Sequence, residues 1–404
     1  MSTKASRDAA KAAQPAGKGR APLWLLALIT FSGTLAMHVF VPALPQAAAA
    51  LGASPGATQL TISFYILGLA LGQLVYGPVS DRFGRRPVLV FGLVLYALAG
   101  FAALLAPNVH LLILARLLQA LGGCSGLVLG RAMVRDGATP GEAAQRLALM
   151  NLMVVAGPGI APLIGTLLAE TAGWRSILLA LAGLGIFNLL LAWKLLPETG
   201  GGAGKSAGAV LRSYLGLLRT PAFLGFTLGG GCASTAMYAY VAAAPFIFID
   251  QLHRPGHEVG FYLALNFLGL WLGTLAASRL AGRLGAPRLL VHGNLLSLIG
   301  AVGFLAAILT GVLDVKLTVL TMALFSFGVG TAAPAALAEA MSVNPLVVGS
   351  ASGLYGFGQM GIGGISTSLA GIGGNPALAA ALVLVSAGVI AQFSFRLALR
   401  GRRG

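Results

Sequence analysis

Charge is what this chain has least of. Its 404 residues hold 26 Lys and Arg and 10 Asp and Glu, so 9% of the sequence is charged and 57% is hydrophobic, where soluble proteins carry roughly 25% charge. With a mean hydropathy of +0.89 and no stretch polar enough for a separate soluble domain, a soluble multidomain protein is excluded and an integral membrane protein is implied. Cysteine is scarce too: Cys124 and Cys232 fall in apolar segments of opposite halves, which argues against a disulfide framework and reads as small packing residues. There is no His and Cys cluster at metal spacing, no phosphate-binding loop with its lysine, and no pair of intramembrane carboxylates. An enzyme, a cofactor and a bound metal are therefore not expected, and glycine runs such as Gly361-Ile362-Gly363-Gly364 read as helix packing. The net charge of +16 would ordinarily suggest nucleic acid, but the cations are scattered between apolar segments and act as topology signals.

What the sequence has in abundance is long apolar runs. Stretches of about 20 residues, enough to span a bilayer, begin near Trp24, Thr58, Pro87, Val109, Gln145, Arg175, Pro221, Glu258, Pro287, Asp314, Leu346 and Asn375. The first is too long for a cleavable leader and is taken as a span. If both termini are cytoplasmic, 22 of the 26 Lys and Arg fall on the inner side, Arg175, Arg254 and Lys316 fall outside, and Arg116 lies within a span. Such a bias is decisive for orientation. Residues 1–20 read as a disordered basic tail, 21–197 and 221–398 as two six-helix bundles, 198–220 as a cytoplasmic linker around Gly200 to Lys205, and 399–404 as a second basic tail. The fold class expected is an all-α membrane protein of twelve helices in two pseudo-symmetric halves.

Gly77-Pro78-Val79-Ser80-Asp81-Arg82-Phe83-Gly84-Arg85-Arg86-Pro87 is a dense cluster of charge and glycine between the second and third spans. A weaker echo follows about 200 residues later, from Arg279 to Arg288, with Gly282 in place of the aspartate. The loop resembles the one between helices two and three of the major facilitator superfamily. Leu114 to Gly123, around Arg116, resembles that family's intramembrane arginine motif. Gly157-Pro158-Gly159-Ile160-Ala161-Pro162-Leu163-Ile164-Gly165 is similar to its exporter-associated helix-five motif, and such a segment weakens a helix and permits close approach. Val41-Pro42-Ala43-Leu44-Pro45, Arg131-Ala132-Met133-Val134-Arg135-Asp136 and the run from Gly349 to Phe357 resemble the bicyclomycin and chloramphenicol resistance exporters within the family. The resemblance implies a proton-coupled secondary exporter of drugs or small amphipathic metabolites in the inner membrane. It further implies an inner-face clamp at Gly77, Asp81, Arg82, Gly84, Arg85, Arg86, Arg135 and Asp136 that breaks when the cytoplasmic side opens.

One position departs from the family pattern. Relatives place an aspartate four residues before the first proline of the helix-one motif, and this chain has His38 there. No acidic residue lies deep in the bilayer under the assigned topology: Glu170 and Asp250 sit near outer helix ends and Glu339 near an inner one. The deep ionisable groups are His38, about 21 Å up the first span, and Arg116, about 10 Å down the fourth, which reach the same depth in a core roughly 30 Å thick. Intramembrane charge is expensive and marks a functional site by default. His38 is the expected proton carrier, with an uncharged hydrogen-bonding role as its alternative. Gln59, Asn151, Tyr238 and Asn266 complete the expected pathway, each as readily explained by helix-helix hydrogen bonding. With no buried carboxylate, neutral or anionic substrates are favoured over cationic ones. The expected partners are such a small molecule, protons and lipid, with the protein a monomer. A proton-independent facilitator or importer on the same scaffold is the competing reading.

Overall fold

The computed structural model describes residues 21–136, 140–199, 207–344 and 347–400. The two tails and the Gly200 to Lys205 core of the linker lie outside them. Among the described residues the chain is helical throughout, without strands: α1 (Leu23–Val39), a 3-10 turn (Val41–Ala43), α2 (Leu44–Leu51), α3 (Pro55–Phe83), α4 (Arg85–Leu104), α5 (Val109–Arg135), α6 (Pro140–Ala172), α7 (Trp174–Leu195), α8 (Ala207–Leu218), α9 (Pro221–Thr235), α10 (Met237–Phe246), a π turn (Ile247–Gln251), α11 (Gly256–Leu284), α12 (Ala286–Leu309), α13 (Val315–Ser342), α14 (Val348–Ala370) and α15 (Pro376–Arg400). Ten helical stretches of described residues are long and apolar enough to cross a membrane, with α1 and α2 forming one and α9, α10 and the π turn another. Helices α6 and α14, of 33 and 23 residues, are the remaining two of the expected twelve.

Local sequence fixes the helix ends. Ser54, Asn108 and Asp314 cap α3, α5 and α13 by accepting from Ala57 N (3.2 Å), Leu111 N (2.9 Å) and Leu317 N (2.6 Å), which satisfies donors that a helix start leaves unpaired. The helix-one motif with its two prolines converts the end of α1 to a 3-10 turn before α2. Exposed side chains such as Phe91, Leu98, Leu167, Trp193 and Phe393 are the lipid-facing surface that an isolated bundle in water could not tolerate.

The two halves repeat one packing scheme. Between α4 and α5 a Cβ on Gly122 would strike Tyr96 N and Gly92 O; between α12 and α13 a Cβ on Gly328 would strike Ser297 N and Gly293 O. The turns after α3 and α11 use Gly84 at φ 94° and Gly285 at φ 76°, a conformation only glycine adopts without strain. The halves meet along α3 against α14 and along α6 against α11. Gly371 lies on Gly56, Gly364 against Ser63, and Gly260 against Pro162 and Thr166.

Contact between the halves differs at the two ends. At the end distal to the Asp81 loop, α10 packs on the 3-10 turn and α2, and His257 reaches Glu170 across the seam at 4.0 Å. At the basic end, which carries the Asp81 loop, a cavity of about 480 Å³ separates α3 and α5 from α13 and the start of α14.

Candidate functional site

Successive residues of a helix turn by about 100°, so positions two apart lie on nearly opposite faces. His38 on α1 is flanked by Ala36 and Phe40, which share the face turned to α5. Arg116, fully buried on α5, occupies that face. Its Nη2 donates to Ala36 O at 2.6 Å and its Nη1 to Gln119 Oε1 at 2.6 Å. The guanidinium carbon stands 4.2 Å from the Tyr65 ring centroid and 5.3 Å from that of Phe40, so two aromatic faces and a carbonyl compensate the charge. Arg116 Nε and Gln119 Nε2 have no partner. Tyr65 donates to Gly33 O at 2.7 Å, closing a compact unit of α1, α3 and α5.

His38 faces the other way, into the seam. Its Nδ1 lies 2.9 Å from Thr34 O; a carbonyl only accepts, so Nδ1 carries the hydrogen and Nε2 is the atom left to accept a proton. That Nε2 is buried and unpartnered. Edge-on rings from the second half enclose it, Phe267 of α11 at 5.1 Å and Tyr238 of α10 at 6.0 Å between centroids. His38 and Arg116 thus grip the same stretch of α1 from opposite faces.

The helix-five motif lies on the same seam. A Cβ on Gly157 would meet the Phe31 ring and one on Gly165 the carbonyl of Val39, so these glycines let α6 press on α1. A Cβ on Gly159 would lie 4.0 Å from Phe267 Cβ, and one on Gly260 would strike the carbonyl of Pro162. Pro158 and Pro162 lie inside the unbroken α6. The motif therefore joins α1 to α11 immediately around His38.

The other expected pathway residues divide. Tyr238 stands at His38. Asn266 is turned into the second half, where its Oδ1 accepts from Ser326 at 2.5 Å and its Nδ2 is unpartnered. Gln59 is buried near the distal end of α3, with its unpartnered Oε1 beside Gly371, and does not share the His38 site. The Asn151 side chain lies outside the described residues.

At the basic end the charged loop forms one network inside the first half. Arg85 Nη1 meets Asp81 Oδ1 at 2.6 Å and Ser80 Oγ at 2.5 Å, and Arg85 Nε meets Asp136 Oδ2 at 3.1 Å, tying α3, α4 and α5 together. Arg86 Nη2 donates to Trp193 O at 2.6 Å, and Arg82 stacks on Phe83 at 5.3 Å. Gly77 has open space around it and lines the cavity, as does Arg135. The sequence reading missed Glu198. Its Oε1 and Oε2 accept from the backbone N of Arg85 (2.9 Å) and Arg86 (3.3 Å), capping α4 in place of the side chain that Gly84 lacks. A lone carboxylate just past the sixth span, facing an uncapped helix start, was the available signal. The cavity and the intact network coexist because both Asp81 and Asp136 belong to the same half as Arg85. Outside the spans, burial of Tyr214 on α8 pushes its phenol above the usual range, keeping it a donor, 3.5 Å from Leu74 O.

The family model described as Major Facilitator Superfamily matches residues 26–368. An uncharacterized MFS-type transporter, YdgK of Bacillus subtilis, is 30% identical over 390 residues, 94% of this chain and 96% of that protein. The multidrug transporter MdfA of Yersinia pestis is 26% identical over 85% of each chain, and a bicyclomycin resistance protein homolog of Haemophilus influenzae is 24% identical over 85% of this chain and 87% of its own. In fold, the chain is similar to the xylose transporter XylE from E. coli in a partially occluded inward open conformation, with a TM-score of 0.73 at 13% identity over 92% and 95% of the two chains.

Proposed function

As the chain belongs to the major facilitator superfamily and is a membrane transporter rather than an enzyme, we propose that it is a secondary exporter of small amphipathic compounds, coupled to protons, working by alternating access in the inner membrane with both termini cytoplasmic. The observation that carries this reading is the unequal seam: rings and small residues close it from His38 to the distal end, and a cavity parts it at the basic end. Rocking one half against the other about the α3 with α14 and α6 with α11 contacts exchanges those conditions. His38 lies in the closed part of the seam, so protonation at Nε2 would place a charge between Phe267 and Tyr238 and favour separation there, because a desolvated charge without a partner is costly. Arg116 holds α1, α3 and α5 as a rigid wall and adds positive potential near the middle of the bundle, which favours neutral or anionic substrates over cationic ones. The names of two relatives, a multidrug transporter and a bicyclomycin resistance protein homolog, support drugs or drug-like metabolites as cargo.

A proton-independent facilitator is the competing reading, favoured by the hydrogen bond that already occupies His38 Nδ1 and by the absence of a carboxylate at that site. Efflux from proteoliposomes under an imposed pH gradient separates them. Gradient-driven efflux supports the exporter, and flux indifferent to the gradient supports the facilitator.

A further inference from the structure

The basic-end cavity carries charge that the Asp81 network does not use. Arg131 and Arg135 sit one turn apart on α5, both open to the cavity. Among the described residues neither guanidinium has a hydrogen-bond or ion-pair partner. Like charges four apart on a helix repel, and the carboxylates of the loop network, Asp81 and Asp136, are engaged by Arg85. The facing wall, from the second half, brings no charged side chain to the cavity: Leu337 and Met341 of α13 supply apolar surface, and Gly349 and Ser350 belong to the first turn of α14, a helix start whose dipole favours an anion. Gln73 also lines the cavity, with its amide packed against Gly356 of α14. Two guanidiniums of the first half thus face an apolar patch and a helix start of the second half across the cavity.

We propose that this vestibule is an anion-binding site that takes an amphipathic organic anion, its carboxylate, sulfonate or phosphate held by Arg131 and Arg135 against the start of α14 and its apolar body on Leu337 and Met341. Guanidinium forks suit such groups. The site deepens the exporter reading, on which its role as the station where cargo enters rests. The binding itself does not depend on that reading. It also bridges the halves, so an occupied vestibule draws α14 toward α5 and favours closure at the basic end.

The test uses the full-length protein in neutral detergent and three probes sharing one ring, benzoate, benzyl alcohol and benzylammonium, with binding followed by calorimetry. Benzoate is expected to bind, benzylammonium not to bind, and benzoate affinity to fall at least about tenfold in R131Q/R135Q and with rising salt, each tenfold step being about 1.4 kcal/mol. The unliganded melting temperature of R131Q/R135Q, and its benzyl alcohol binding, should match the wild type, which separates a lost site from a lost fold. Equal binding of all three probes, or wild-type benzoate affinity in R131Q/R135Q, overturns the proposal. If phosphatidylglycerol in nanodiscs displaces benzoate, the site stands and its anion is a lipid headgroup. If inorganic sulfate displaces benzoate at equal concentration, the apolar wall contributes nothing and the amphipathic assignment fails. Benzoate binding without gradient-driven benzoate efflux keeps the site and removes the exporter reading for that cargo; efflux without Arg131- and Arg135-dependent binding does the reverse.

Discussion

The first half and the second half share a scaffold and differ in chemistry. In the register that pairs Gly122 with Gly328, buried Arg116 corresponds to buried Met322. In the register that pairs Gly84 with Gly285, Asp81 and Arg85 correspond to Gly282 and Ala286. By the similar spacing of about 200 residues that places Thr30 against Gly130 and Gly230 against Ala336, His38 corresponds to Tyr238, the ring it faces across the seam. Glycine positions, which decide how closely helices approach, repeat. Of the ionisable positions in these registers Arg82 repeats, as Arg283, whereas Arg116, His38, Asp81 and Arg85 do not, and the charge that differs gathers in the first half: the intramembrane guanidinium, the imidazole at the seam, the Asp81 network and the free arginines of the vestibule. The second half supplies complementary apolar, hydroxyl and aromatic surface. A scaffold of two similar halves can rock without charge. On the proposed reading, coupling that motion to protons and cargo draws on charge at one face of the seam.

The largest effect should come from removing the charge that most distinguishes the halves. Arg116→Met installs the residue of the second half; it leaves Ala36 O and Gln119 Oε1 without their donor, yet exchanges a buried charge for an apolar side chain, so the melting temperature should change by only a few degrees. Efflux should fall about 100-fold, equivalent to about 2.7 kcal/mol of barrier. Efflux near wild type would make the guanidinium structural and dissolve the contrast with Met322.

Asp81→Asn should come next. Its ion pair with Arg85 is 37% exposed on the aspartate side, so stability should drop by less than about 1 kcal/mol. Turnover should fall about tenfold in efflux assays while substrate affinity holds, because Arg85 then keeps one carboxylate, Asp136, besides Ser80 and the α3 to α4 corner loosens. Equal loss of affinity and turnover would contradict a role in motion. Gly122→Ala and Gly328→Ala test the shared scaffold: each places a methyl against backbone and should cost about 1–3 kcal/mol in unfolding, by similar amounts in both halves. A large inequality would break the equivalence on which the comparison rests. The smallest effect belongs to Glu198→Gln, which weakens the acceptors at the start of α4; about 1 kcal/mol of stability should be lost with efflux per folded molecule unchanged.

The fold was legible because lipid leaves few options. Apolar length and the distribution of Lys and Arg located the spans to within a few residues: the expected starts at Trp24, Val109 and Pro221 lie at or beside the observed Leu23, Val109 and Pro221. The site was legible in part. His38 and Arg116 stood out as ionisable residues in apolar runs, but one-dimensional depth carries no angle, so their placement on opposite faces of α1 could not be read. Tyr238 meets His38 only through the pairing of the halves. Gln59 and Asn266 look equivalent in sequence and separate in space because one faces the distal seam and the other Ser326. Glu198 was missed because its partners are backbone N–H groups, which no side-chain motif marks.

The most direct test of the asymmetry is gradient-driven efflux from proteoliposomes, comparing His38→Ala with Tyr238→Phe under a pH gradient of either sign. The account predicts that the wild type and Tyr238→Phe respond to the gradient, whereas His38→Ala retains exchange and loses that response. Gradient dependence intact in His38→Ala, or absent in the wild type, would contradict it.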